Sequence, residues 1–233
     1  MLNPELDVER AAADFRRDGR VLIADFLSQD AAQALHTCLD QAVPWGLTYM
    51  EQGQPVIAQA ETLRSWGPGD LARIRQRAES DAGRGFAFLY GTYMMVSAYR
   101  ERRDPGLLLH SFVEFLNTRI FIGLLGAISG SRTLVKANAQ ATRYLPGHFL
   151  TYHNDQRGTD REIAYVLNLT RDWEEDWGGT LNFSDPEGRV SERYLPRFNS
   201  LALFRVPMGH FVSKVSDAAP RPRYAITGWA LNR

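Results

Sequence analysis

Apolar positions change their period about half-way along the chain. Residues 5–18, "ELDVERAAADFRRD", put Leu6, Ala11, Ala12 and Phe15 near helical spacing, and the stretch stops at Gly19, a helix C-terminal signal. "RVLIADFL" follows as a short apolar, β-like run. Ser28 then stands where it can cap a helix over "QDAAQALHTCLDQAV", whose first turn is acidic, as the helix dipole prefers. Residues 45–105 hold turn signals in "SWGPGD", a charged helical stretch "DLARIRQRAESD" and the aromatic segment "GFAFLYGTYMMVSAY"; together they read as mostly helical. After Pro105, "GLLLHSFVEFLNTRIFIGLLGAISG" has the apolar density of a buried helix pair ending at Gly130, within which His110 reads as a packed helix residue.

From residue 132 the texture becomes short β-type runs between Gly, Pro, Asn and Asp: "TLVKANAQATRYL", "HFLTYH", "EIAYVLNL", "GGTLNFS", "RVSERYL", "SLALFRV", "HFVSKVS" and "RYAITGWAL". So many strands in so short a span predict a sandwich or jelly roll. The expected fold is mainly β with an α-helical scaffold: one domain over 1–233, with residues 1–131 as the mostly helical part and 132–233 as the jelly-roll core.

Composition narrows the partners. The 27 basic and 27 acidic residues cancel, and no basic block is interleaved with aromatics, so capture of nucleic acid or an anionic membrane is not expected. Cys38 is the one cysteine, which excludes a disulfide framework and a multi-thiolate metal site. A reducing cytoplasm is the expected location. The N-terminus lacks a signal-type apolar stretch, so a soluble, unprocessed protein is expected.

The candidate chemistry lies in the β half. In "KANAQATRYL", Asn138, Gln140, Thr142 and Tyr144 alternate, so a strand would aim all four at one face, either a wet interior or a solvent edge. The interior is favoured because the turn "LPG" follows and the next strand delivers His153 and Asp155 at its end. Residues at i and i+2 share a face, so this imidazole and carboxylate supply two ligands on one side, and a third must come from elsewhere. His210, at the start of a later strand, completes two histidines and one carboxylate, the facial set of non-heme Fe(II) oxygenases. A 2-oxoglutarate enzyme also needs a cation for the distal carboxylate. Arg223, thirteen residues beyond His210 in "RPRYAITGW", can supply it as a bidentate fork. His148 is read as pocket rim or surface, Gly178 and Gly179 as turn residues, and the pairs Asp172-Trp173 and Asp176-Trp177 as a partly exposed loop beside the pocket.

The ordered set Tyr144, His153-x-Asp155, Gly178-Gly179-Thr180-Leu181, His210 and "RYAITGW" resembles the 2-oxoglutarate- and Fe(II)-dependent dioxygenases, particularly their prolyl hydroxylase-like branch. The resemblance is carried by residues 132–233, with weaker support from "GRVLIADFLSQDAAQAL" and "FLNTRIFIGLLGAISG". It implies a double-stranded β-helix in which His153, Asp155 and His210 bind Fe(II) and Arg223 pairs with the far carboxylate of 2-oxoglutarate. Its pattern also favours Arg223 over Arg221. Tyr144 matches a tyrosine that hydrogen-bonds that cosubstrate, and Trp229 matches an aromatic beside the substrate pocket. Tyr165 is a further cosubstrate candidate, although the tyrosine some members use on this strand aligns nearer Val166. The implied reaction consumes 2-oxoglutarate and dioxygen, yields succinate and carbon dioxide, and hydroxylates a C–H bond.

The branch points first to a prolyl residue in a protein, then to a free amino acid or small metabolite. The loop "NDQRGTDRE" carries Arg157 and Arg161, which could clamp a peptide backbone or a small anion. Two rivals are a metal-dependent β-barrel enzyme without a 2-oxoglutarate requirement and a non-catalytic jelly-roll binding protein. A binding module has no need of three ligands together with a buried cation. The sequence does not speak to oligomeric state.

Overall fold

The computed structural model describes residues 1–156 and 160–233. Helix α1, Val8–Asp18, begins at Asp7, whose carboxylate accepts the Arg10 N–H at 2.9 Å. It ends where Gly19 turns to φ 69°, a left-handed conformation that glycine adopts without steric cost. Strand β1, Arg20–Ile23, and helix α2, Gln29–Gln41, follow as the pattern predicts. Ser28 departs from expectation: its side chain makes no cap, and only its carbonyl receives the Ala32 N–H.

The segment 45–105 is corrected by the structure. It holds a hairpin of β2, Gly46–Glu51, and β3, Gln54–Ala58, then α3, Ala60–Arg64, α4, Pro68–Ala82, β4, Phe88–Tyr93, and the short α5, Met95–Glu101. The hairpin turns through Gln52 and Gly53, both at positive φ, the geometry that matches the twist of paired strands. Helices α6, Leu108–Leu116, and α7, Arg119–Ser129, form the predicted buried pair ending at Gly130. His110 is half-buried, with a ring nitrogen 2.8 Å from the Arg103 carbonyl.

Every predicted run beyond residue 132 contributes to the sheet: β5, Lys136–Ala137, β6, Gln140–Tyr144, β7, Phe149–His153, β8, Arg161–Asn168, β9, Leu181–Ser184, β10, Val190–Tyr194, β11, Ser200–Arg205, β12, His210–Val212, and β13, Arg223–Leu231. The first run is split between β5 and β6 at Asn138, whose carboxamide oxygen accepts the Trp229 N–H at 2.8 Å. The main path of the sheet runs β1-β11-β8-β13-β6-β4-β7-β12-β9-β10, with every pairing antiparallel. Strand β4 turns the corner, pairing with β6 through Gly91–Tyr93 and with β7 through Phe88 and Leu89. The result is a nearly closed jelly-roll barrel. Across its remaining gap, Arg20 of β1 forms an ion pair with Glu192 of β10.

Strict alternation builds a core on each face of the larger wall. From β8 and β11, Ile163, Tyr165, Leu167, Leu201 and Leu203 point to the helices and meet Phe15, Phe112 and Phe121, all fully buried. Each such aromatic contributes about 1.5–3 kcal/mol of burial. Ala164, Val166, Ala202 and Phe204 point the other way, into the barrel. The helices therefore hold one wall rigid while its opposite face lines a cavity.

Candidate metal centre and its cavity

Strand register brings the two histidines together. His210 of β12 is the direct antiparallel partner of His153 of β7, and their ring centroids lie 4.1 Å apart. Asp155, two residues past His153, turns back at φ 60°, a left-handed conformation that aspartate tolerates better than most residues. Its Oδ1 lies 3.4 Å from His153 Nε2 and its Oδ2 lies 3.5 Å from His210 Nε2. One ligand atom from each of the three residues falls within 4.8 Å of the others.

The outer nitrogens settle the tautomers. His153 Nδ1 donates to the Thr151 carbonyl at 3.0 Å, and His210 Nδ1 donates to the Met208 carbonyl at 2.8 Å. With Nδ1 so engaged, Nε2 of each ring is the atom that faces Asp155 and is left to bind a divalent metal. Burial, reinforced by the His153 ring, pushes His210 down to about 4, so it is neutral at pH 7. Burial pushes the Asp155 carboxyl up, but the His153 hydrogen bond and the nearby imidazoles outweigh it and hold the group below the usual range. One carboxylate and two imidazole nitrogens are a donor set that fits Fe(II).

This cluster borders a cavity of about 520 Å³. Asn138, Gln140, Thr142 and Tyr144 all line it, so the alternating polar face of β6 lies inside the barrel. Arg223, the first residue of β13, also lines it and is 2% exposed. Its Nη2 donates to Asn168 Oδ1 at 3.2 Å, its Nε is buried without a hydrogen-bond partner, and no carboxylate pairs with it among the described residues. Burial lowers its pKa, yet a guanidinium stays charged. A buried cation with an unused donor fits the distal carboxylate of 2-oxoglutarate. Arg221, by contrast, is exposed and reaches Asp172 at 3.3 Å.

Tyr144 lies against Arg223, with the guanidinium carbon 5.0 Å from its ring centroid. Burial lifts its hydroxyl far above the ordinary tyrosine range, so it remains an O–H. Trp229 also lines the cavity, and the Arg161 guanidinium stacks on it at 3.7 Å while Nη1 reaches the Asp155 carbonyl at 3.3 Å. Arg157 lies outside the described residues.

Tyr165 requires correction as a cosubstrate ligand. Its ring packs edge-on against Phe121 on the helix side, and its hydroxyl is committed to the Asn138 carbonyl at 2.6 Å. Both Tyr165 and Val166 border the cavity, but Tyr165 packs with the helix-side core and Val166 with the core inside the barrel. His148 is also corrected: it is buried, outside the cavity lining, with Nδ1 3.4 Å from the Arg143 carbonyl. Trp173 is buried too, donating to the Gly178 carbonyl at 2.9 Å. Gly178 and Gly179 both have positive φ, and a Cβ on Gly178 would stand 2.2 Å from the Lys214 carbonyl oxygen, so the turn needs glycine there.

One wall beside the metal cluster comes from the segment read as helical. Phe86, Phe88 and Tyr90 line the cavity, Phe86 stands 5.5 Å from the His153 ring, and Tyr90 stacks on Tyr144 at 5.1 Å. Pro55 and Ile57 of β3 continue this apolar wall. Its sequence signal was the alternate spacing of Phe86, Phe88 and Tyr90.

A jelly-roll barrel with a His-x-Asp…His cluster and a buried arginine beside one cavity defines the architectural class. Residues 139–231 match the family model of the 2OG-Fe(II) oxygenase superfamily. Over 137 residues the chain is 28% identical to mouse prolyl 3-hydroxylase OGFOD1, a match covering 56% of this chain and 24% of that relative. The chain thus spans about a quarter of the length of that curated protein. Among solved structures, a Pseudomonas putida prolyl-4-hydroxylase superposes with a TM-score of 0.60 at 19% identity, covering 96% of this chain and 98% of the other. A Trichoplax adhaerens prolyl hydroxylase, solved with a hypoxia inducible factor peptide, gives 0.65 at 16% identity, with 97% and 89% covered. Residues 139–231 thus resemble the 2OG-Fe(II) oxygenase superfamily, and the fold as a whole is similar to that of the two prolyl hydroxylase structures.

Proposed function

We propose that the chain is an Fe(II)- and 2-oxoglutarate-dependent dioxygenase that hydroxylates a prolyl residue in a protein or peptide. The observation that carries this reading is one cavity bordered by both the three-residue ligand cluster and a buried guanidinium with a free Nε. His153, Asp155 and His210 would hold Fe(II), leaving the positions that face the cavity open. When bound, Fe(II) supplies the redox chemistry that couples 2-oxoglutarate and dioxygen to succinate, carbon dioxide and one oxygen atom inserted into a C–H bond.

The chain's own part is binding, orientation and exclusion of water. Arg223 would pair with the distal carboxylate, and the Tyr144 hydroxyl, held protonated by burial, would donate to the same ligand. Arg161 fixes Trp229 from behind and ties it to the Asp155 backbone, so ligand and pocket wall move as one piece. Phe86, Phe88 and Tyr90 offer flat apolar faces suited to a pyrrolidine ring. The curated relative is a prolyl 3-hydroxylase, and the Trichoplax neighbour was solved with a peptide; both support a prolyl substrate.

The test is to incubate anaerobically purified protein with Fe(II), 2-oxoglutarate and oxygen. Succinate should form faster with proline-bearing peptides, and a peptide should gain the mass of one oxygen. Mass gain only in free amino acids or metabolites would remove the peptide substrate and keep the oxygenase.

A further inference from the structure

Arg223 is oriented by a directed chain of hydrogen bonds behind the cavity. The Ser200 hydroxyl donates to the Arg197 carbonyl at 2.7 Å, which leaves its oxygen to accept from Asn168 Nδ2 at 3.4 Å. With its NH₂ turned to Ser200, the Asn168 carboxamide aims Oδ1 at Arg223 Nη2, 3.2 Å away. The polarity of the chain thus fixes which end of the amide meets the guanidinium. Strand register builds the arrangement, because Asn168 of β8 lies directly opposite both Ser200 of β11 and Ala225 of β13. Asn168 and Ser200 are 3% and 1% exposed, and neither lines the cavity, so neither can touch a ligand there.

We infer that Asn168 is a positioning residue for 2-oxoglutarate selectivity: its neutral amide orients the Arg223 fork while leaving the guanidinium charge unspent. The inference rests on the reading of Arg223 as partner of the distal carboxylate. An acid at this position would hold the guanidinium equally well but would neutralise it, as buried ion pairs do. The amide is the one-atom difference between a cation available to an incoming anion and a cation already paired. Among the described residues Arg223 has no other acceptor, and its buried Nε has no hydrogen-bond partner.

The test uses the full chain loaded with Mn(II), comparing 2-oxoglutarate with pyruvate, which keeps the keto acid and lacks the distal carboxylate. Asn168→Asp should weaken 2-oxoglutarate by about 100-fold, the order expected when a buried charge contact is lost. Pyruvate and Mn(II) affinities should stay within about twofold. The melting temperature should hold or rise, because the new carboxylate compensates a buried cation. Ser200→Ala, which removes the anchor of the amide, should cost 2-oxoglutarate about tenfold with the same selectivity. Asn168→Asp binding 2-oxoglutarate as the parent does would overturn the inference, and so would equal losses for both keto acids. If the parent itself does not prefer 2-oxoglutarate to pyruvate, the reading of Arg223 falls, and the inference with it.

Discussion

The metal-ligand cluster and the arginine end of the cavity carry opposite charges and settle them differently. Around Asp155, every polar atom has a neighbour: two Nε2 atoms face its carboxylate, and two backbone carbonyls hold the imidazoles in one tautomer. Around Arg223, one neutral amide is the sole acceptor among the described residues, and an N–H is left over. The first end is prepared in geometry, with its three side chains already aimed at one point. The second is prepared in charge, held in a low-dielectric site where an anion is worth more than in water. The contrast suits a cation at one end and an anion at the other, which is the pairing the proposed 2-oxoglutarate site needs.

The sharpest way to break the comparison is to remove the negative charge from the ligand cluster alone. Asp155→Asn keeps the shape and a side chain that tolerates the left-handed backbone. Mn(II) affinity, read by paramagnetic resonance, should fall by more than about 1,000-fold, beyond the roughly 10–100-fold that losing an outer partner of a ligand costs. Unchanged affinity would remove Asp155 from the centre. At the other end, Arg223→Gln should leave Mn(II) binding intact and weaken 2-oxoglutarate by about two to three decades, while Arg221→Gln changes neither. Calorimetry on both variants separates the two arginines; a crippled Arg221 variant would reverse their roles.

Acid should sharpen the difference, because the histidines titrate and the arginine does not. Burial holds His148 and His210 at about 4, against about 6.5 for a free imidazole. As pH falls below about 6.5, the unfolded chain takes up protons that the native state refuses, so stability drops until about pH 4 and then levels. Each histidine contributes up to about 3 kcal/mol to that loss. Urea midpoints of metal-free protein between pH 7 and 4 should show it, with a shallower slope for His148→Gln; a flat profile would contradict both burials. The smallest effect belongs to the apolar wall. Phe86→Ala should raise the KM for a proline peptide about tenfold, with kcat and 2-oxoglutarate affinity unchanged.

The sequence made the barrel legible because its strands alternate cleanly and Gly, Pro, Asn and Asp punctuate them. The positions of His153, Asp155, His210 and Arg223 were readable for the same reason, since parity along a strand decides which side chains share a face. Parity also explains the failure at Tyr165: it and Val166 are adjacent, both faces of β8 are buried, and composition alone does not say which face is the cavity. The hairpin of β2 and β3 was hidden because Gln52 occupies a turn position where asparagine or glycine would have announced it. In β4, the apolar density of "GFAFLYGTYMM" masked its alternation. His148 was misjudged because β7 begins one residue after it, and its ring is covered instead of facing solvent.

The left-handed backbone at Asp155 restricts the mutational neighbourhood of the site. At φ 60° a β-branched or bulky residue is strained, whereas asparagine and glycine are accommodated. Drift at this position is therefore channelled toward residues that keep the chain folded while stripping the cluster of its one carboxylate. A descendant carrying such a change would keep the barrel, the buried arginine and the capacity for a keto acid, but lose its grip on the metal. Loss of catalysis in this lineage would leave a stable scaffold behind it, available for another use.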